Sequence, residues 1–186
     1  MPLAERRAGR LTSLRRDIAL LAGWILIACG TAYAAVPLQP LIDATPSGGT
    51  LLLAAGTYTG PAIVDRPMVL DGGGKAHIDG QQRESVLRVR ANSATIRGLV
   101  LTRSGDSHDR VDSAIVVEGH YNRIEDNHIE DVLFGITLHA SNHNVVARNF
   151  IRSRPVDLAD RGDGLRLWYS TGNRIEGNDI AQIRDV

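Results

Sequence analysis

Apolar and polar positions in the second half of the chain follow a long repeat. The motif Asn-x-(Ile/Val)-x-x-Asn-x-Ile occurs three times, and a weaker copy begins at Ala94. The three full copies begin at Asn122, Asn144 and Asn173. Residues two apart face the same side of a β-strand, and a repeat of roughly 20 to 50 residues is the signature of a solenoid. The pattern therefore predicts stacked coils of short parallel strands.

The spacing of the copies locates two insertions. Asn122 and Asn144 are 22 residues apart, one coil of a parallel β-helix, whereas the neighbouring intervals are 28 and 29 residues. The surplus lies in Thr102–Ser113 and Arg152–Asp163, which we expect to leave the solenoid at the same corner. Insertions at one corner often form a binding flank, although an exposed corner also tolerates insertion without any function.

Equivalent positions of successive coils stack on one another in a solenoid. Three apolar sets are expected to point inward: Ile96, Ile124, Val146 and Ile175; Leu101, Ile129, Ile151 and Ile180; and the pairs Ile115/Val117, Ile136/Leu138 and Leu165/Leu167. Such a narrow interior suits aliphatic side chains and explains an aromatic content of only 4%. Asn127, Asn149 and Asn178 fall at one corner. We expect them to form a structural amide ladder with left-handed backbone.

The segment that begins at Pro37 is expected to close one end of this stack. Pro37–Ala44 is predicted to be a short amphipathic helix that covers the open strand edges. Short apolar runs after it suit the first coils. The glycine-rich segment Asp71–Lys75 is predicted to be a turn, because it lacks the spacing of a phosphate-binding loop. The fold class is thus all-β, a right-handed parallel β-helix with an N-terminal capping helix. Because the chain stops inside a coil at Val186, we expect it to be the N-terminal part of a longer solenoid.

Residues 1–34 are predicted to be a signal peptide, which leaves 35–186 as the β-helix. Five arginines precede an apolar run, Ile18–Ala28, and Ala32-Tyr33-Ala34 resembles a cleavage site. This leader predicts export to the periplasm. An alternative is a lipid anchor at Cys29, since Leu26–Cys29 resembles a lipoprotein box. A twin-arginine signal at Arg15-Arg16 is a poor match.

Charge and cysteine content narrow the function classes. With the leader's five arginines and two acidic residues removed from 21 basic and 21 acidic groups, 16 basic and 19 acidic groups remain. This balance gives no electrostatic footprint for nucleic acid. Cys29 is the only cysteine, so the mature chain must be stable without disulfides.

Two sets of side chains could carry chemistry. The first set is acidic. These groups could cleave sugars, a reaction in which paired carboxylates act, or could simply make the loops soluble. They lie in both insertions: Asp106, Asp109 and Asp112, beside His108, and Asp157, Asp160 and Asp163. Register places His120 beside Asn142, with His143 next to it, and aligns His139 with Glu118 and Trp168. His120, His139 and His143, with Glu118, are therefore expected on one flank across two coils. Imidazoles suit copper or zinc, so we predict a metal site at these histidines, with surface histidines as the competing interpretation.

Three stretches together resemble the NosD family, the periplasmic accessory proteins of nitrous oxide reductase maturation. They are Leu70–Gly80, Asp131–Ile136 and Arg154–Trp168. The last stretch is the most specific, because it includes an inserted loop. The resemblance implies a right-handed parallel β-helix that works with a membrane ABC transporter (permease and ATPase) and a copper chaperone. It also implies a longer chain and a role in building the reductase's copper centres. The histidine prediction comes from the residues alone.

We therefore expect a non-enzymatic maturation factor. The alternative is an exported β-helix that binds carbohydrate or cleaves polysaccharide, with Trp168 and Tyr169 as its main outward aromatics. A passive surface solenoid is a third interpretation. The sequence contains no nucleotide-binding motif, so ATP would have to be hydrolysed by another subunit.

Overall fold

The computed structural model describes residues 35–185, so the predicted leader with Cys29 lies outside the described residues. The elements in chain order are β1 (Val36–Pro37), α1 (Leu38–Ala44), β2 (Thr50–Leu52), β3 (Gly56–Thr59), β4 (Ala62–Val64), β5 (Val69–Asp79), β6 (Leu87–Val89), β7 (Thr95–Thr102), β8 (Ser113–Val117), β9 (Arg123–Glu125), β10 (His128–Val132), β11 (Phe134–His139), β12 (Val145–Ala147), β13 (Phe150–Ser153), a 3-10 helix (Leu158–Asp160), β14 (Leu165–Trp168), β15 (Arg174–Glu176) and β16 (Asp179–Ala181). In this part of the chain no helix is long and apolar enough to cross a bilayer.

The strands form about six coils of a parallel β-helix. The first face contains β2, the start of β5, the start of β7, β9, β12 and β15. The second face contains β1, β3, the ends of β5 and β7, β10, β13 and β16. The third face contains β4, β6, β8, β11 and β14. The predicted parallel β-helix is confirmed.

The inward columns stack as predicted. Ile96 pairs with Ile124 and Ile124 with Val146, and all three are fully buried. On the third face Ile136 lies between Ile115 and Leu165. Columns of this kind exclude water along the solenoid axis and supply most of its hydrophobic stabilisation. On the last described coil the equivalent residues are more open, with Ile175 40% and Leu167 45% exposed.

Helix α1 closes the N-terminal end of this core, as predicted. Leu38 and Ile42 lie one turn apart on the same side of the helix and are fully buried. The side chain of Gln39 fixes the helix to β4: its oxygen accepts from the Ile63 N–H at 2.7 Å, and its amide donates to the Ile63 carbonyl at 3.2 Å. The helix therefore covers apolar residues that the first coil would otherwise expose.

The amide ladder between the first and second faces is also confirmed. Asn127 Nδ2 donates to Asn149 Oδ1 at 2.9 Å, and Asn149 Nδ2 donates to Asn178 Oδ1 at 3.0 Å. The expected left-handed backbone lies one residue earlier than predicted. Asp126 and Arg148 have φ of 57° and 54°, because the residue before the asparagine makes the turn and leaves the amide free to point inward.

A second ladder, which sequence reasoning did not interpret, precedes the first face. Asn122 N–H donates to Asn144 Oδ1, and Asn144 N–H donates to Asn173 Oδ1, each at 2.8 Å. Asn144 Nδ2 also donates to Ser141 Oγ at 2.7 Å. Gly119 stands at the position equivalent to Ser141, and the buried Asn122 Nδ2 has no partner among the described residues.

The glycine-rich segment differs from its prediction as a simple turn. β5 runs through it, and its register against β7 shifts between Asp71 and Ala76. Gly73 and Gly74 adopt φ of 56° and 72°, which glycine reaches without steric cost. The segment is thus a bulge that carries the chain from the first face to the second.

Candidate partner-binding flank

Both insertions leave the solenoid where the second face passes into the third. In the coil of β10 and β11 a single residue, Leu133, makes this passage. In the coil before it, this passage is made by residues 103–112, which we call the first loop. In the coil after it, the passage is made by residues 154–164, the second loop. The prediction that the two insertions share a corner is therefore confirmed, and we refer to them together as the loop flank.

Arg154 joins the two loops. Its Nη2 donates to the carbonyl oxygens of Ser104 and Gly105, at 2.9 Å each. Leu133 lies between the loops: its N–H donates to Ser104 Oγ at 2.9 Å, and its carbonyl accepts from the Gly162 N–H at 3.1 Å. Ser104 is fully buried. The loop flank is consequently one connected surface, and sequence reasoning missed Arg154 because its partners lie about 50 residues away.

The acidic residues of the loops divide into two kinds. Asp112 is 2% exposed, accepts from the Ser107 N–H at 3.0 Å and pairs with Arg110 at 2.9 Å. The hydrogen bond from Arg110 to Asp112, together with the negative charge of Asp112, raises the pKa of Arg110 above its ordinary value. Asp163 pairs with Arg166 and Arg184 at 3.4 Å and 3.1 Å. Asp106, Asp109, Asp157 and Asp160 are exposed. Asp112 and Asp163 thus neutralise arginines, and sugar cleavage by these acids stays an untested alternative.

The three candidate metal ligands have different partners. His139 pairs with Trp168 in the register of β11 and β14. His120 Nδ1 accepts from the Asn142 N–H at 3.0 Å, and His143 stacks on Tyr121 with ring centroids 5.3 Å apart. The register predicted for these residues is confirmed. Within residues 35–185 no group of three His, Cys, Asp or Glu side chains lies close enough to hold a metal ion. The copper site at the histidines stays a prediction.

A cleft of about 320 Å³ lies on the outer side of the third face, beside the first loop. We call it the third-face cleft. Its lining residues are Arg88, Val116, Thr137, His139, Arg166 and Trp168 from the strands, Glu118 directly after β8, and Arg110 and Val111 from the first loop. Val116 and Thr137 form a floor that is only 5% exposed. Arg88 pairs with Glu118 through a short hydrogen bond. The cleft combines a sheltered floor with three guanidinium groups on its walls.

The fold and its flank define a class of protein: a parallel β-helix with loops inserted at one corner. Two curated relatives specify the family. The chain is 30% identical to a "Probable ABC transporter binding protein NosD" of Pseudomonas aeruginosa over 98% of its own length. It is 27% identical to a protein of the same name from Stutzerimonas stutzeri over 87% of its length.

These matches show that the chain belongs to the NosD family. The chain spans 41% and 38% of the lengths of the two relatives. No protein-family model and no solved structure matches it.

Proposed function

We propose that this protein is a non-enzymatic periplasmic accessory factor for the maturation of nitrous oxide reductase. In this role it assists assembly of the reductase's copper centres together with an ABC transporter and a copper chaperone. The observation that carries the proposal is the similarity to NosD proteins over nearly the whole chain, including the second loop. The relatives' name, a probable ABC transporter binding protein, supports the association with a transporter.

The geometry suits a docking role. Extended solenoid surfaces bind large partners, and a surface that is ordered before binding loses less entropy when the complex forms. The Arg154 hydrogen bonds hold the two loops in one arrangement. Leu158, in the 3-10 helix of the second loop, is 60% exposed and offers an apolar contact. We propose that the loop flank contacts the immature reductase and that a different part of the protein contacts the transporter.

The role is tested by the copper content of nitrous oxide reductase purified from a strain with an in-frame deletion of this gene. A copper-poor, inactive reductase that recovers on complementation supports the proposal. A fully loaded reductase refutes it.

The docking surface is tested by shortening the loops. Each loop is replaced by a single residue, because Leu133 makes the same passage naturally in the intervening coil. We expect the double-shortened protein to fail to co-purify with the immature reductase. Leu158→Ser, which changes the surface without removing a loop, serves as the milder variant if shortening prevents folding. Normal complex formation by both variants would reject the loop flank as the contact.

Direct copper handling is a separate part of the proposal. It assigns the metal to His120, His139 and His143. Copper titration of the purified protein and of the triple His→Ala variant tests this assignment. Stoichiometric binding that the variant loses supports it, and equal binding by both proteins rejects these ligands.

A carbohydrate-binding function is the second candidate, and one observation favours it. Trp168 and Tyr169 are 47% and 79% exposed and meet edge to face, with ring centroids 5.4 Å apart, beside the third-face cleft. Exposed aromatic rings can stack on sugars. Affinity electrophoresis in gels containing polygalacturonate tests this candidate. Retardation that Trp168→Ala abolishes supports it, and unchanged mobility rejects it for this polymer.

A further inference from the structure

Arg166 is held in an unusual position in the third-face cleft. Its guanidinium carbon lies 5.2 Å from the ring centroid of Trp168 and 5.8 Å from that of Phe134. Phe134 is buried, and His108 packs against its ring at a centroid distance of 5.6 Å. Aromatic rings restrain a guanidinium through their faces and leave its N–H edges free to bind. The two rings therefore restrict the positions that the Arg166 guanidinium can take.

The charge partners of Arg166 leave it capacity for another anion. Its contact with Asp163, at 3.4 Å, is the longest of the ion pairs found among residues 35–185, and Asp163 also pairs with Arg184. Of the other charged lining residues, Arg88 and Arg110 are cationic and Glu118 is anionic. Glu118 is shared with Arg90 at 3.1 Å. Arg110 is paired with Asp112. Five guanidinium groups at and beside the cleft thus share three carboxylates, because Glu118 and Asp163 each pair with two arginines.

The shape of the cleft favours a chain segment over a compact ligand. Arg88, Val116, Thr137 and Arg166 follow one another across four adjacent strands. Neighbouring strands lie about 4.8 Å apart, so this row is about 14 Å long, which matches four residues of extended chain. The buried floor accepts apolar atoms, and the Arg166 end accepts charge.

We propose that the third-face cleft receives an extended acidic segment of a protein partner and that Arg166 binds one Asp or Glu side chain of that segment through two N–H groups. Paired N–H donors match the two oxygens of a carboxylate. The proposal rests on the docking role proposed above. It specifies that the partner presents a carboxylate beside the first loop.

The test is a titration of the ¹⁵N-labelled full chain with a short synthetic peptide, acetylated Gly-Ser-Glu-Ser-Gly-amide. Its matched control has Gln in place of Glu, and glutarate represents a free carboxylate. The Trp168 indole and Arg166 Nε signals are followed by NMR. We expect a saturable shift with the Glu peptide, and binding about tenfold weaker with the Gln peptide and with glutarate.

Variants assign the binding to Arg166. Arg166→Met should weaken binding of the Glu peptide about tenfold. Arg166→Lys keeps the charge without the paired donors, so its affinity should lie between those of the wild type and Arg166→Met. Arg174→Met is the matched control, since Arg174 is an exposed arginine paired with Glu176 on the first face. Equal binding of the Glu and Gln peptides, equal binding of glutarate, or full binding by both Arg166 variants would overturn the proposal.

These titrations need no reductase, so their failure is distinguishable from failure of the maturation role. A copper-poor reductase in the deletion strain, together with no peptide binding, would retain the maturation role and reject only the acidic segment.

Discussion

Two corners of the solenoid differ in how much the length of the connection varies from coil to coil. At the asparagine corner, between the first and second faces, each turn is short, and the amides of Asn127 and Asn149 are at most 2% exposed. At the loop flank, between the second and third faces, the connection varies from one residue to eleven. The first corner repeats because the amides of Asn127 and Asn149 each donate to the asparagine of the next coil. The second varies because its residues need only reach back to the next strand.

The difference separates stability from recognition. A buried amide network is destabilised when one of its hydrogen-bonding groups loses its partner. Beside the loop flank, β14 carries Arg166 and Trp168, which are 30% and 47% exposed. Substitutions at the asparagine corner should therefore affect folding first, and substitutions at the loop flank should affect loop order or binding first.

Asn149→Leu should produce the largest effect. Asn149 Oδ1 accepts from both nitrogens of Asn127, and its Nδ2 donates to the Ile124 carbonyl at 2.8 Å. Leucine leaves these buried groups unpaired, which should destabilise the fold by about 4 kcal/mol and lower the Tm by about 10 °C. Thermal unfolding followed by circular dichroism measures this. Asn92→Leu is the control, since Asn92 is exposed and accepts only from the His120 N–H. Equal Tm values for the two variants would reject the ladder as a stabilising element.

Arg154→Met should produce an intermediate effect, confined to the loop flank. The substitution leaves the carbonyls of Ser104 and Gly105 without their guanidinium donor and should cost about 2 kcal/mol. We expect faster tryptic cleavage at Arg103 or Arg110 in the first loop. Arg161→Met is the matched control, because Arg161 Nε donates to the Val156 carbonyl within the second loop. If both variants leave the first loop equally protected, the two loops are ordered independently.

The smallest expected effect is a pH dependence at the surface of the asparagine corner. A hydrogen bond from Arg148 to Asp126, with Nη2 2.7 Å from Oδ2, lowers the pKa of Asp126 below its ordinary value of 3.8. The pair's contribution is therefore present above this value and is lost as the pH falls through the lower, folded-state pKa. Because both side chains are about half exposed, water and salt screen the pair and its contribution to the free energy of unfolding should be small.

Urea unfolding of wild type, Asp126→Asn, Arg148→Met and the double variant, at pH 7 and pH 3, isolates this contribution. We expect the coupling between the two side chains to be measurable at pH 7 and smaller at pH 3. A coupling that grows on acidification would contradict the assigned ion pair.

Much of the fold could be predicted because it depends on the length of the sequence repeat. Inward columns such as Ile96–Ile124–Val146 follow from residues one coil apart, so counting along the chain identifies neighbours in space. The ladder of Asn127, Asn149 and Asn178 follows in the same way. The second ladder carried the same signal in Asn122, Asn144 and Asn173, and it could have been identified from the repeat alone.

The candidate site was less predictable. Sequence located the loops, but it did not show that Arg154 joins them. It marked His139 and Trp168 as neighbours by register, but it did not show that Arg166 lies over the buried ring of Phe134. These contacts depend on how an irregular segment folds back onto the sheet, and no repeat specifies that path.

The sequence by itself therefore determined the parallel solenoid, its inward residues, its capping helix and the corner at which both insertions leave it. Local hydrophobic periodicity is sufficient for these features, because each strand meets its neighbour one coil later. Only the tertiary structure decided that the two loops form one flank and that Arg166 is fixed beside a cleft. Such features arise from contacts between segments whose separation follows no period, and their geometry exists only once the chain has folded.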